Sequence, residues 1–419
     1  MPAPLPLPRT GPWAHIDRSA IRHNLHWLLQ RLQRRYAGTP GSAMAAAGRP
    51  RPRPRIWVVT KANAYGHGLN LTLPALADAD GVCVSALDDV SRVRQAGWRK
   101  PILLLSVWGL SWQDFADPTL GDELHIVIDD EHQLQELEKM AMDGRTPRDL
   151  RLAAWLRHAG ELRSQGFTDE LYRPAFERLR RLKDAGILAD VGHLQHYAAS
   201  EDAIRLKRER HAFASLTIPL GGPTCTGNSA ALCLPNLGDM QASPHGACPE
   251  GEHWLRCGLL LYGASAIPDI TGERLGLRPA MSLRTRLLSI HKVYKGQSVG
   301  YGDGFVAPHD TYIGTVGAGY GHGVPRRLWE HGSVLVGREE RMVRLAGRVT
   351  MDTLTIDLGS CPREQPGDIV TLWGSTPGGV IHSVETVAAA CHTIAAELLS
   401  GLTCRTRLIA CDGQAGLAV

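Results

Sequence analysis

The chain has 419 residues, with 46 Lys and Arg against 42 Asp and Glu, a formal net charge of +4, 43% hydrophobic and 21% charged residues. At roughly 150 residues per domain this length fits two or three domains with a sizeable core, and these fractions exclude a disordered chain, a collagen-like repeat and a small disulfide scaffold. The longest apolar runs, such as Ile102–Trp108 and Gly258–Tyr262, fall far short of the ~20 residues of a membrane helix. No basic run is interleaved with aromatics, so neither a membrane nor nucleic acid is an expected partner. Nine cysteines are scattered without C-x-x-C spacing or a neighbouring histidine pair, and no metal site is expected. An odd, unclustered set of cysteines reads as reduced thiols. Met1–Trp13 lacks the charged start and apolar core of a signal peptide, so the expected location is cytoplasmic.

Short apolar runs alternate with helical patterns through the first two thirds. Ile56–Thr60 and Val82–Ala86 read as buried strands, the second followed by a helix Leu87–Ala96 that stops at Gly97. Ile102–Val107 and Leu124–Ile128 follow as strands. In Glu131–Met142, Leu134, Leu137 and Met140 recur at helical spacing. Leu150–Leu156 is a fifth strand, and the charged helix Leu171–Ala185 ends at Gly186. Val191–Tyr197 and Leu216–Leu220 read as strands with a helix between them, and Trp254–Tyr262 comes last. About eight such units in roughly 260 residues predict an α/β fold, a (β/α)8 barrel over residues 12–275. From Leu277 the pattern changes to alternating segments punctuated by glycine: Ser282–Tyr294, Tyr312–Gly317, Ser333–Val336, Met342–Leu345, Leu354–Asp357 and Ile369–Trp373. One helix, Val384–Leu399, and a strand, Thr406–Ala410, complete a mainly antiparallel β domain over 276–411. Two low-complexity stretches, 37–54 and 238–251, read as surface insertions.

The first barrel strand delivers Lys61 to its C-terminal end, the edge where barrel chemistry sits. Burial there would lower its pKa and free its amine to form an imine with a carbonyl. The segment Val59-Thr60-Lys61-Ala62-Asn63-Ala64-Tyr65-Gly66-His67-Gly68 resembles the cofactor-lysine signature of alanine racemases. Further segments follow in that family's order. Trp13–Asp17 with Ile21–Leu25 is similar to its opening, Gly227–Ala231 to its phosphate loop, and Leu255–Gly263 to the stretch that carries an arginine for the cofactor's ring nitrogen. Val299-Gly300-Tyr301-Gly302 is similar to its catalytic-tyrosine motif, and Gly347–Asp352 to its substrate-side β motif.

The resemblance implies a homodimer with shared active sites that binds pyridoxal 5'-phosphate and a small amino acid, and that interconverts L- and D-alanine to supply D-alanine for peptidoglycan. It implies that Lys61 holds the cofactor and acts as one base, and that Tyr301 is the opposite base. His196 would hydrogen-bond that tyrosine, Arg256 would contact His196 and face the ring nitrogen, and His193 would be a bystander. Because arginine keeps its proton, the ring nitrogen would stay unprotonated. The phosphate would fall to Tyr65 and Ser229, in the loop with Asn228, and to the N–H groups of Gly258 and Leu259. Met351 would offer its backbone to the substrate carboxylate, and Tyr320 would line the entrance.

Departures from the family pattern fall in one segment around Arg157 and Ser164, at Ala396 and at the insertions. Arg157 replaces a lysine that is often carbamylated, which excludes carbamylation there. Ser164 falls on an arginine that contacts cofactor and substrate, so Arg163 or Arg157 would supply its charge. Ala396 replaces a tyrosine that reaches the phosphate and narrows the space beside the substrate side chain, and the two insertions have no counterpart. A racemase of broader specificity, for serine or larger amino acids, and a non-catalytic cofactor-binding relative are the competing readings. A decarboxylase of the related barrel class is disfavoured by Arg256.

Overall fold

The computed structural model describes residues 11–37, 53–115, 117–142, 152–233 and 253–413. Apart from their edges, the insertions read at 37–54 and 238–251 lie outside these residues, as do Cys248 and most of Met1–Trp13. β1 (Trp13–Asp17) is followed by the helix Arg18–Ala37. Eight parallel strands then close a barrel in chain order: β2 (Arg55–Val59), β3 (Gly81–Val84), β4 (Ile102–Leu104), β5 (Leu124–Ile128), β6 (Leu152–His158), β7 (Asp190–Gln195), β8 (Thr224–Thr226) and β9 (His253–Cys257). β9 returns to pair with β2, Trp57 opposite Arg256, so the ring has no free edge. Helices cover its outside. Asp169–Asp184 buries Tyr172, Ala175, Phe176, Leu179 and Leu182 along one stripe, and its first-turn acids and last-turn bases match the helix dipole. No helix among the described residues is long and apolar enough to cross a membrane.

The barrel interior is filled by Trp57, Val59, Cys83, Leu103, Val127, Trp155, Leu194, Cys225 and Trp254. Trp57 and Trp254 stack with ring centroids 4.0 Å apart. So many large rings fit only because glycine stands beside them: Trp57 pairs with Gly81 on β3 and Trp155 with Gly192 on β7.

The second domain is a sheet in the order β15-β14-β17-β10-β1-β19. Its strands are β10 (Met281–Val293), β13 (Thr311–Val316), β14 (Ser333–Val336), β15 (Arg341–Arg344), β16 (Leu354–Gly359), β17 (Ile369–Ser375), β18 (Ile381–His382) and β19 (Arg407–Cys411), with β13 and β16 extending from β10 and β18 from β17. A two-stranded hairpin, β11 (Ser298–Val299) and β12 (Phe305–Val306), stands apart. β1 lies antiparallel to β10 and parallel to β19. Residues 13–17 therefore belong to this sheet, although they precede the barrel in the chain and were expected within it.

Three expected elements differ. Leu216–Leu220 is not a strand: it carries the end of the helix Ala203–Thr217 and a short 3-10 turn. Gly221 and Gly222, both at positive φ, then turn the chain into β8. Trp254–Tyr262 stops being a strand at Cys257, after which Leu259–Tyr262 forms a 3-10 turn. Val384–Leu399 is two helices, Val384–Ala390 and Ala395–Ser400, because His392 at φ 56° breaks the helical path.

The pairing of tryptophan with glycine sets a limit on the barrel. A Cβ at Gly81 would meet the Trp57 ring at 2.2 and 2.5 Å and the Pro101 carbonyl oxygen at 3.0 Å. Gly81→Ala is expected to cost about 1–3 kcal/mol by overpacking. Thermal melts of Gly81→Ala alone and with Trp57→Leu check this. A double variant no less destabilised than the sum of the two single ones would contradict the steric account.

Candidate active site

Side chains alternate across a strand, so inward positions recur every second residue. One step beyond the filled interior, at the C-terminal ends of the strands, this rule places Lys61 after Val59, Asp129 after Val127, Arg157 after Trp155, His196 after Leu194 and Arg256 after Trp254. These five side chains form the mouth of the barrel.

Lys61 opens an unusual turn. Ala62, Asn63, Ala64 and Tyr65 all have φ between 49° and 57°, one turn of left-handed backbone capped by Gly66. Such a run strains residues with a Cβ, and the surroundings hold it. The Asn63 carboxamide oxygen accepts the Leu69 N–H at 2.9 Å. His67, fully buried, donates from Nδ1 to the Tyr65 carbonyl at 2.8 Å, and its ring lies 4.5 Å from that of Tyr262. Tyr262 donates its hydroxyl to the Val59 carbonyl at 2.9 Å. The helix Ala395–Ser400 packs behind: a Cβ on Gly66 would lie 1.9 Å from the Leu399 carbonyl oxygen. Lys61 itself is exposed in this single chain, against the expectation of a buried amine.

Opposite, Arg256 is buried at 5% exposure. Its guanidinium donates to the Gln195 carbonyl at 2.8 Å, the Gly227 carbonyl at 3.4 Å and Cys225 Sγ at 3.3 Å, and meets His196 Nδ1 at 3.2 Å. His196 is pushed down to about 3 by burial first, then by the positive charges of Arg256, Arg157 and Lys61. It is neutral at every physiological pH. His193 lies below, fully buried, bonded to Tyr172 at 3.0 Å and stacked on Phe176.

Between Lys61 and Arg256 the chain offers a set of anion donors. Ser229 Oγ accepts the Gly258 N–H at 3.2 Å. A Cβ at Gly258 would stand 2.8 Å from the Tyr65 hydroxyl, so glycine is what lets that hydroxyl and the backbone N–H share one spot. Burial pushes Tyr65 up to about 12, which keeps its proton available for donation. Leu259 begins the next 3-10 turn. Asn228 instead serves the loop, accepting the Ala231 N–H at 3.0 Å and donating to the Tyr197 carbonyl at 3.4 Å.

Arg157 is half-buried, donates to the Gln165 side chain at 2.5 Å and lies 3.9 Å from the buried Asp129 carboxylate. Gln133 holds that carboxylate at 2.8 Å. Arg163 stands exposed in the following turn at φ 55°. Asp129, Gln133 and Gln165 were not singled out from sequence. Counting inward positions along each strand would have found Asp129, while the other two lie on a helix and a loop and carry no such signal.

Tyr301, Tyr320 and Met351 sit on the second domain, 73, 42 and 53% exposed. The segment 347–352 gathers them. Tyr320 and Gly321 donate their N–H groups to the Thr350 and Met351 carbonyls at 2.9 Å, and a Cβ on Gly302, next to Tyr301, would touch the Arg348 guanidinium at 3.0 Å. Arg405 closes the group through a 2.6 Å ion pair with Asp352. The chain thus presents a charged barrel mouth on its first domain and an exposed aromatic surface on its second.

Comparison with known proteins places both halves in one family. Residues 42–266 match the model "Alanine racemase, N-terminal domain" and residues 280–410 match "Alanine racemase, C-terminal domain". The chain is 36% identical over 394 residues to the alanine racemase of Bordetella avium (strain 197N), covering 94% of this chain and 97% of that one. It is 34% identical over 396 residues to that of Xanthomonas axonopodis pv. citri (strain 306), covering 93% of each. Among solved structures, the biosynthetic alanine racemase of Pseudomonas aeruginosa superposes with a TM-score of 0.77 at 31% identity, over 96% of this chain and 99% of that one. The enzyme from D-cycloserine-producing Streptomyces lavendulae gives 0.79 at 25%, over 97% and 98%. Matched along nearly its whole length in sequence and in fold, the chain belongs to the alanine racemase family.

Proposed function

We propose that the chain racemises alanine with pyridoxal 5'-phosphate, in a homodimer whose active sites each join the barrel mouth of one copy to the Tyr301 surface of the other. The observation that carries this reading is the division of the site: the barrel mouth holds a lysine and a buried arginine whose charges both reach His196, while the tyrosine that would oppose the lysine stands exposed on another domain. The donor set fits the cofactor. Two hydroxyls and a backbone N–H meet around Gly258, as a phosphate requires, and Arg256 supplies a fixed positive charge where the ring nitrogen would lie. Bound there, the cofactor would acidify the substrate's α-proton by drawing electrons into its ring.

The chain's own residues do the rest. Lys61 Nζ holds or takes the proton on one face, and the Tyr301 hydroxyl on the other. Racemisation needs both, because a proton removed from one face must be replaced from the opposite one. Arg256, unable to yield its proton, would leave the ring nitrogen without one and so restrain side reactions. Of the two candidates for the missing arginine, Arg157 is the better placed, since it shares the mouth with Arg256 and His196. Arg157 would hold the substrate carboxylate, with Gln165 and Asp129 fixing its guanidinium. The fold family and the absence of long apolar helices among the described residues accord with a cytoplasmic enzyme supplying D-alanine for peptidoglycan.

Borohydride should fix the cofactor on Lys61, and Lys61→Ala and Tyr301→Phe should each abolish racemisation. In Tyr301→Phe, deuterium wash-in should persist from one enantiomer and cease from the other. Symmetric wash-in would refute the two-base assignment, and full activity in a monomer would refute the shared site.

Arg157→Ala should lower kcat/KM for alanine by roughly 10–150-fold, the loss of a charge-assisted hydrogen bond worth about 1.5–3 kcal/mol. Arg163→Ala should change it little. The reverse ranking would return the role to Arg163.

Ala396 is half-buried on the helix that packs behind the Lys61 turn. Ala396→Tyr should refill space beside the substrate and reduce serine turnover relative to alanine by about 10–200-fold. An unchanged ratio of kcat/KM values would show that Ala396 does not set specificity.

A further inference from the structure

Away from the barrel mouth, one group of metal-ligating side chains converges among the described residues. Glu330 and His331 end the short helix Leu328–His331, and His392 lies in the turn between Val384–Ala390 and Ala395–Ser400. One ligand atom of each lies within 4.8 Å of the other two, and all three residues are exposed. The imidazole rings of His331 and His392 stand 6.1 Å apart, edge to face.

The backbone fixes this meeting point. His392 occupies the left-handed region at φ 56°, uncommon for a residue with a Cβ. Its N–H donates to the Ala389 carbonyl at 3.0 Å, and that of Thr393 to the Ala388 carbonyl at 3.0 Å. The Thr393 hydroxyl donates to Glu397, which closes the turn on its far side. Among the described residues, Arg327 competes for the carboxylate, paired with Glu330 at 3.2 Å.

We propose that Glu330, His331 and His392 form a binding site for a zinc-class divalent cation. Two imidazoles and one carboxylate are the donors that zinc and its transition-metal neighbours prefer, whereas magnesium and calcium seek oxygen throughout. Three protein ligands leave a fourth position for water. Metal bonds of about 2.0–2.2 Å require the three donors to close in slightly, which exposed side chains can do by rotamer changes.

The ion would brace two supports of the catalytic halves. Trp329, beside Glu330, carries the Arg348 guanidinium 5.8 Å above its ring, and Arg348 lies against Gly302 in the Tyr301 turn. The helix that follows His392 presses its Leu399 carbonyl on Gly66 at the end of the Lys61 turn. Sequence spacing could not reveal this site, because its ligands come from segments far apart in the chain.

Tag-free holoenzyme, stripped with a chelator and titrated calorimetrically with zinc chloride, should bind one equivalent per chain and gain several degrees in Tm. Cobalt(II) should give a visible d–d band, and magnesium should not bind. His331→Ala and His392→Asn, the latter chosen because asparagine tolerates positive φ, should each weaken zinc binding at least about tenfold and lose the gain in Tm. Arg327→Gln should strengthen binding by removing the competing cation. Zinc affinity equal in the parent and both histidine variants, or no binding by the parent, would overturn the proposal. These readouts do not involve racemisation, so either result leaves the catalytic reading untouched.

Discussion

A permanent positive charge buried in the barrel mouth governs the arrangement around it. A guanidinium taken out of water is tolerated only when its donors are satisfied, and Arg256 finds acceptors on the carbonyls of Gln195 and Gly227. Those residues lie at and beyond the ends of β7 and β8, so one side chain fixes the relative height of three neighbouring strands. The same charge, added to burial, strips the proton from His196. A neutral imidazole can then accept or donate a single hydrogen bond in a cluster otherwise crowded with cations. With Arg157 and Lys61 in the same space, the mouth is strongly electropositive before any ligand arrives, a setting suited to a doubly charged phosphate and a carboxylate.

The second constraint is the left-handed turn after Lys61. Four successive residues with positive φ cannot persist on local preference alone. They are held by His67 and Tyr262 beneath and by the carbonyl of Leu399 behind. The lysine's position is therefore set partly by a helix contributed some three hundred residues later in the chain. That helix also carries Ala396, so a substitution there acts on the element that supports the Lys61 turn.

The barrel was legible because its strands are continuous apolar runs and its helices carry period-3.6 stripes; Glu131–Met142 and the helix begun by Asp169 are clear cases. The elements misread were those where backbone geometry overrides composition. Leu216–Leu220 is apolar enough for a strand but is committed to the preceding helix, and His392 breaks a stretch whose residues otherwise favour one. Lys61, Tyr301 and Arg256 could be found because each lies in a contiguous motif. Asp129 lies in no such motif and is legible only through the strand pleat that carries it two residues beyond Val127, whereas Gln133 and Gln165, which hold Asp129 and Arg157, lie off the strands. The choice between Arg157 and Arg163 was likewise open in one dimension and depends on which of them ends a strand.

β1 has a consequence for how the molecule comes into being. It precedes the barrel in the chain, yet its parallel partner β19 follows the rest of the second domain, with Trp13 opposite Arg407 and Asp17 opposite Cys411. The barrel can assemble on the ribosome as its strands emerge in order, but the second sheet lacks its β19 edge until that strand has been released. Until then β1 has β10 on one side and an open row of backbone donors and acceptors on the other, a template for wrong pairing. The parallel clasp also leaves the first and last described residues at opposite ends of adjoining strands, so a linker joining them would have to run back along the strands. Removal of β19 would expose the side of β1 that it covers.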